Sequence, residues 1–381
     1  MLSAGVVDDT APNVLSNAHP YFGTGPTSEK RCINIVTGAT GTIGKAVVRE
    51  SVRQGYHTVA LVRNAQKATE QHGACLQGAE VMECKDVTDA KQVQKIFEII
   101  AERKDDSIIE GVISCLASRT GTRKDAFAID YQATLNCLEA ATSVKARHFV
   151  LLSAYCVRNP LLAIHSAKLR FETALQEQTD MSWSIVRPTA YFKSVSTQFS
   201  KLRERPGASF LSFGSKGEEG PKCNPISDAD LANFLVDCIS NRSRYNRIMD
   251  VGGPDEPLSM VRRGELMFEV LGKEAKITFV PIWIFDTMIQ IFSVLSYALR
   301  VEFMEDAAES ARIARYYATQ DLVTTDPSEK VGSTHLMDHF KTLLVKDKQQ
   351  IEEDTVPLAH RWSSDLYRSV IAFTEKREHS L

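Results

Sequence analysis

A doubly wound α/β fold on a mostly parallel sheet, with a smaller C-terminal substrate lobe, is predicted by three observations. Five short apolar runs recur between residues 33 and 153, each ending where small or polar residues begin. Helical patterns of about a dozen residues separate them, which is the βαβ rhythm. The first junction of run and helix carries three glycines, in "NIVTGATGTIGKAVVRE" (34–50).

The run from Ile33 to Val36 reads as a strand buried on both faces. From Thr42 onward Ile43, Ala46, Val47 and Val52 recur at helical spacing. Gly38 permits a tight turn, Gly41 lets backbone N–H groups approach a pyrophosphate, and Gly44 lets the helix pack closely on the strand. Thr40, Thr42 and Ile43 share that cradle. The spacing is G-x-x-G-x-x-G, a weak signal alone but a meaningful one between a strand and a helix. This makes a Rossmann-type dinucleotide site the expectation.

"HTVALVRNAQKA" supplies the second strand, ending at Arg63. An acidic residue there suits the ribose hydroxyls of NAD, whereas Arg suits a 2′-phosphate, so Arg63 predicts NADPH; the alternative is a solvated surface Arg. "AEVMECKDVTD" gives a third strand, with Asp86 and Val87 as adenine-side contacts. "IEGVISCLAS" gives a fourth, ending at Cys115, Leu116 and Ala117. "ARHFVLLSAYCV" gives a fifth, ending at Ser153. Ligands of such sheets bind beyond the carboxyl ends of the strands, where all these residues fall.

The 381-residue chain is 43% hydrophobic and 24% charged, an ordinary globular composition. A net charge of -3 argues against a nucleic-acid partner. Eight cysteines without C-x-x-C spacing or Cys/His clusters argue for a reducing compartment and against a zinc site. Residues 1–30 read as a flexible arm with neither a secretory nor an evident transit signal. The expected division is a nucleotide-binding domain over 31–255, a C-terminal substrate lobe over 256–345 and a charged tail over 346–381. Substrate-site segments interleave from about 188.

The blocks "SCLASRTGTRKDAFAIDYQATLNCLEAA", "HFVLLSAYCVRNPLLAIHSAKLRFE" and "SIVRPTAYFKS" carry a more specific signal. They closely resemble the divinyl chlorophyllide a 8-vinyl reductase family, atypical short-chain dehydrogenases with an NmrA-like Rossmann core. Likeness continues through "PISDADLANFLVDCI", "VGGPDEPLS" and "ARIARYYAT", and spans roughly residues 32 to 345. The resemblance implies an oxidoreductase that uses NADPH to reduce the 8-vinyl group of a divinyl (proto)chlorophyllide to ethyl in chlorophyll biosynthesis. A chloroplast location follows from it, with the cytoplasm as the alternative. NmrA-like folds also serve as non-catalytic NADP sensors or assembly factors, and fold alone does not fix function.

Short-chain dehydrogenases ordinarily carry Tyr-x-x-x-Lys on one helix. Lys168 is present in "HSAKLRFE", but Ile164 stands where the Tyr would be. Tyr155 lies outside that spacing. Loss of the Tyr suits reduction of an alkene, where the proton goes to carbon rather than to an alkoxide. Lys168 is expected to hold the nicotinamide ribose, with the proton supplied by water, Tyr155 or Ser153. The alternative for Lys168 is a surface pair with Glu172.

Pro188 and Thr189, after the strand-like "WSIVRP", are candidate nicotinamide contacts. Tyr191, Phe192 and Lys193 are candidate substrate contacts, although aromatics near a strand end are often core. His335 and His339, four apart, lack the third ligand of a metal site and read as a helix face. Residues 280–299 form the most apolar stretch. Interrupted by Asp286 and Gln290, they read as a core helix or lobe wall, with peripheral membrane contact as the alternative.

Overall fold

The structure, a computed structural model, describes residues 32–103, 107–300, 302–324 and 326–346. The expected N-terminal arm, and the expected tail beyond residue 346, lie outside the described residues.

The first half alternates strand and helix as the sequence predicts. β1 (Cys32–Thr37), α1 (Thr42–Arg53), β2 (His57–Val62), α2 (Ala65–Leu76), β3 (Glu80–Glu83), α3 (Ala90–Ala101) and β4 (Ile108–Ser114) follow in order. A short α4 (Arg123–Ala126) runs through a π-helical turn (Phe127–Ala133) into α5 (Thr134–Ser143). Then come β5 (His148–Leu152), a 3₁₀ turn (Tyr155–Arg158), α6 (Ala163–Glu177) and β6 (Ser182–Pro188). Local chemistry sets several boundaries: Asn64 caps α2 by accepting from the Lys67 N–H, and Asp89 caps α3 by accepting from Lys91 and Gln92. In α3, Val93, Ile96, Phe97 and Ile100 form the buried stripe that seats the helix on the sheet.

After β6 the chain leaves the sheet for α7 (Phe192–Val195), α8 (Phe199–Glu204), β7 (Phe210–Phe213) and β8 (Lys222–Cys223). It returns through α9 (Asp228–Ser240) and β9 (Arg247–Val251), then leaves again for β10 (Leu258–Ser259), α10 (Met260–Leu271), β11 (Ile277–Val280), α11 (Trp283–Leu299), α12 (Glu302–Thr319) and α13 (Leu336–Val345). The main sheet has seven strands in the order β3-β2-β1-β4-β5-β6-β9, and all its pairs are parallel. Strand order reverses between β1 and β4, so the ligand crevice lies beyond their carboxyl ends.

Both faces of the sheet are covered. On one, α1 packs along α9, with Val47, Leu235 and Ile239 in the shared core. On the other, α3, α5 and α6 bury Phe97, Cys137 and Phe171 against Phe149 and Ile185. Asn34, polar inside β1, is wholly buried and its amide donates to the Ser51 hydroxyl at 3.1 Å.

The smaller lobe pairs β7 with β11 in parallel and β8 with β10 antiparallel. Its core unites Phe192, Phe199 and Phe210 with Met267, Phe340 and Leu343. The lobe is thus assembled from segments on either side of α9 and β9.

The apolar stretch at 280–299 becomes the end of β11 and α11, and it departs from the expected core helix. Among its helical residues only Phe285 is buried, while Trp283, Val294, Tyr297 and Leu299 are more than half exposed. The interrupting Asp286 pairs with Arg315 of α12 at 2.5 Å. Among the described residues no helix is long and apolar enough to cross a membrane.

Candidate active site

The glycine turn has the geometry its spacing implies. Gly38 has φ of 71°, and a Cβ there would lie 2.5 Å from the Cys115 carbonyl oxygen at the end of β4. A Cβ on Gly44 would lie 2.1 Å from the Gly38 oxygen, so α1 can approach the turn only because Gly44 has none. The Gly41 N–H closes the turn onto the Gly38 carbonyl at 2.9 Å. No side chain caps α1 and its first turn holds no acidic residue. The positive end of the helix, with Thr42 and Ile43 in its first turn, is left for an anion at the strand-order reversal. Thr40 is half-buried beside it. This glycine turn and uncapped helix end fit a dinucleotide pyrophosphate.

Toward the expected adenosine end, exposed Arg63 follows β2. Burial of its stem and the neighbouring Arg119 guanidinium press its pKa below the usual arginine range, with Asp125 opposing. Arg119 sits in the loop after β4, which Asp125 fixes by accepting from the Arg119 N–H, the Thr120 N–H and the Thr120 hydroxyl, each at 2.8 Å. Two like charges held close together make a ready partner for a phosphate dianion. Arg119 had no sequence signal of its own, being one arginine in a polar loop. Asp86 is exposed, and one of its oxygens accepts from the Thr88 N–H at 2.9 Å and hydroxyl at 2.6 Å. The Val87 carbonyl accepts from Asn136. Both residues therefore shape the turn after β3.

Beyond β4 and β5 the site is built from side chains. Lys168 is 8% exposed, and its Nζ lies 2.9 Å from Oδ1 of wholly enclosed Asp130. The other oxygen, Oδ2, accepts from the Ser118 N–H at 3.1 Å. Asp130 occupies the π-helical turn, a local widening that often marks functional positions. It went unassigned in the sequence, where its trace was one acid inside the apolar run "AFAIDYQA". Cys115 and Leu116 are half-buried and Ala117 exposed along the same rim. Burial pushes the Cys115 thiol up to about 12 and the Cys156 thiol up to about 11, with the Lys168 charge opposing in both. Neither is a thiolate nucleophile at neutral pH. His165, wholly buried one turn before Lys168, finds no well-formed hydrogen bond for either ring nitrogen among the described residues. Burial and then the Lys168 charge hold it down to about 4, so it is neutral.

Several expectations need correction. Lys168 is not on the surface and does not pair with Glu172. Glu172 is itself buried, bound to Arg187 and accepting from the Ser153 hydroxyl at 2.5 Å. That hydroxyl is committed to a carboxylate, which removes Ser153 as a proton donor. Tyr155 lies under the Arg158 guanidinium, 5.2 Å from its ring, and Arg158 pairs with Asp250 at 3.0 Å. Its phenol thus faces that charged cluster. Phe192 is 3% exposed within the lobe core, its ring 5.1 Å from His339, so packing claims it. Pro188 and Thr189 are buried, and the Thr189 hydroxyl donates to the Asn224 carbonyl at 2.8 Å, holding the lobe entry rather than pointing outward. Tyr191 and Lys193 remain half-buried beside the crevice. Of the helix-face histidines, His335 pairs with Asp255 at 2.6 Å and His339 meets the Ser196 hydroxyl at 3.1 Å.

A helix end open to an anion where strand order reverses is the mark of a dinucleotide-binding protein, and residues 38–242 match the family model described as NAD(P)H-binding. The fold recurs in an NADPH-dependent quinone oxidoreductase of Escherichia coli solved with NADPH. Its TM-score is 0.59 at 17% identity, covering 82% of this chain and 99% of that one. Among curated relatives, the chloroplastic divinyl chlorophyllide a 8-vinyl-reductase of Oryza sativa subsp. indica is 39% identical, over 83% of this chain and 76% of its own length. The corresponding protein of Cucumis sativus is 38% identical over 84% and 79%. The chain belongs to the divinyl chlorophyllide a 8-vinyl-reductase family of oxidoreductases.

Proposed function

We propose that the chain reduces the 8-vinyl group of a divinyl chlorophyllide or protochlorophyllide to ethyl, using NADPH, as a step in chlorophyll synthesis in the chloroplast. The observation that carries this reading is the buried Lys168–Asp130 pair at the crevice, on a helix with Ile164 where an alcohol-forming enzyme needs a Tyr. A site without that hydroxyl suits a substrate whose proton goes to carbon.

Gly38, Gly41, Gly44 and the start of α1 would hold the pyrophosphate, and Arg63 with Arg119 the 2′-phosphate. NADPH, when bound, supplies the hydride. Lys168, fixed by Asp130, orients the ribose and keeps a positive field at the reacting end. Half-buried Tyr191 and Lys193 are the residues assigned here to a flat macrocycle and its carboxylate. The test is incubation of the purified protein with NADPH and divinyl chlorophyllide, followed by pigment chromatography. Conversion to the monovinyl pigment with matching loss of NADPH is expected. Tight NADPH binding with no pigment conversion would overturn the reading in favour of a non-catalytic binder.

A further inference from the structure

We propose that the outer face of α11 docks the protein on the surface of an electrically neutral lipid bilayer. The observation behind this is a helix turned inside out. A surface helix in water sets its polar residues outward and its apolar stripe against the protein. In α11 the polar residues instead face the neighbouring helix. Asp286 Oδ1 accepts from Arg315 Nε at 2.5 Å, and Ser293 Oγ accepts from Arg312 Nη2 at 3.0 Å, both arginines standing on α12. The apolar residues face outward, with Trp283 58%, Ile291 51%, Val294 65% and Tyr297 89% exposed. Thr287, also exposed, turns its hydroxyl back onto the Trp283 carbonyl at 2.9 Å.

This orientation is fixed by neighbours. Helix α11 packs along α12, and α12 is tied to the nucleotide-binding part. The Glu309 carboxylate accepts from the Ala163 N–H at 3.0 Å and so caps the start of α6. The Tyr316 hydroxyl donates to the Cys156 carbonyl at 3.1 Å. Turning the apolar face of α11 inward would break both arginine contacts. The start of α12 extends the patch with half-exposed Phe303. A contiguous apolar patch of this kind marks contact with another apolar phase rather than with water.

Two features select lipid as the occupant. The first is the order of side chains along the helix. Trp283 opens it and Tyr297 stands near its end, with Ile291, Val294 and Leu295 between them. Each ring has a polar edge suited to headgroups, and the aliphatic middle suits acyl chains. A protein interface has the reverse plan, with its large aromatics at the centre. The second is charge. Asp286 is the one charged residue between Trp283 and Leu299, so the outer face offers a protein partner nothing to pair with. The arginines behind it are balanced, Arg312 by Glu305 and Glu309 at 3.0 Å each and Arg315 by Asp286. An anionic lipid gains nothing from such a surface, which commits the site to an uncharged one. The same acids and arginines keep α12 out of hydrocarbon, so α11 lies along the bilayer surface with its outer side chains immersed.

The test is sedimentation of the full chain with uncharged phosphatidylcholine vesicles. Binding is expected, and it should persist in about 1 M salt, where charge attraction is screened beyond about 3 Å. Val294→Asp, at a position that already faces outward, is expected to bind NADPH like wild type and to partition at least about tenfold more weakly. Ile248→Asp, at an exposed apolar residue of β9, serves as the control and should partition like wild type. Independently, brominated acyl chains should quench wild-type tryptophan emission, and Trp283→Phe should lose that quenching. Wild type that stays in the supernatant overturns the proposal. So does binding that requires anionic phosphatidylglycerol and vanishes in salt. A Val294→Asp variant that turns a dimer into a monomer with lipid partition unchanged overturns it too, and gives the face to a second copy. None of these readouts uses turnover, so the reductase reading stands or falls separately.

Discussion

The two sides of the crevice are made of different material. The side assigned to the cofactor is backbone: glycines whose missing Cβ atoms let β1, α1 and β4 meet, and a helix end without a cap. The side assigned to the chemistry is a set of side chains from the π turn, α6 and α12, joined by the Lys168–Asp130 and Glu309–Ala163 contacts. A backbone site is rigid by exclusion and fails sterically. A side-chain site is held by charge and hydrogen bonds and fails when a partner is removed.

That contrast sets the expected effects. Gly44→Ala has the largest. Its Cβ would fall 2.1 Å from a backbone oxygen that cannot swing away. NADPH affinity should drop more than about a hundredfold, with a strain cost of about 1–3 kcal/mol, read by fluorescence titration and thermal melting. Unchanged affinity would mean that the turn yields and the cofactor side is not rigid. Lys168→Ala comes next: it leaves Asp130 charged and enclosed, so about 3–5 kcal/mol of stability should go with roughly a hundredfold in turnover. The double variant Lys168→Met with Asp130→Leu sharpens the point, because it should regain stability without regaining turnover. Recovery of both would make the pair purely structural.

Arg63→Ala should weaken NADPH about ten- to a hundredfold and leave NADH unchanged, measured as the ratio of dissociation constants. Equal losses for the two would remove the 2′-phosphate from Arg63. Acid probes the chemical side through His165. His165 is held down to about 4 against an ordinary 6.5, so the unfolded chain binds the extra proton first. Its contribution to stability is complete above about pH 6.5 and is lost as pH falls toward 4. His148, also held near 4 by burial, adds to the same loss. Hydrogen exchange at pH 5 should show α6 loosening while the turn between β1 and α1 stays protected; the reverse order would reverse the comparison. The smallest effect belongs to Tyr155→Phe. Its phenol faces Arg158, so turnover should change less than about threefold, and a larger loss would restore Tyr155 as the acid.

The same contrast explains what was legible. Gly38, Gly41 and Gly44 lie within one turn and one helix start, so their spacing carries their geometry. Arg63 and Cys115 could be assigned to one edge because strand ends in a βαβ chain converge there, and Lys168, inside α6, was singled out by its place in a helix motif. Asp130 and Glu309 answer to partners in remote segments, and Glu309 meets Ala163 across 146 residues. Nothing local distinguishes them from a solvated helix acid. Phe192 and Ser153 were misread for the complementary reason. An aromatic or hydroxyl at a strand end looks alike from the sequence whether it faces the crevice or, as here, a core or a buried carboxylate.

The packing of α1 along α9 also sets a schedule for biosynthesis. The helix that forms the nucleotide turn leaves the ribosome early, but the partner that covers its Val47 face is encoded eight helices later. At ordinary translation rates of about 5–20 residues per second, that face waits roughly 10–35 s for its cover. Until α9 arrives, the half-built sheet shows water an apolar surface that the finished protein hides. The helix behind the turn most readily recognised in the sequence therefore waits for a cover encoded in the second half of the chain.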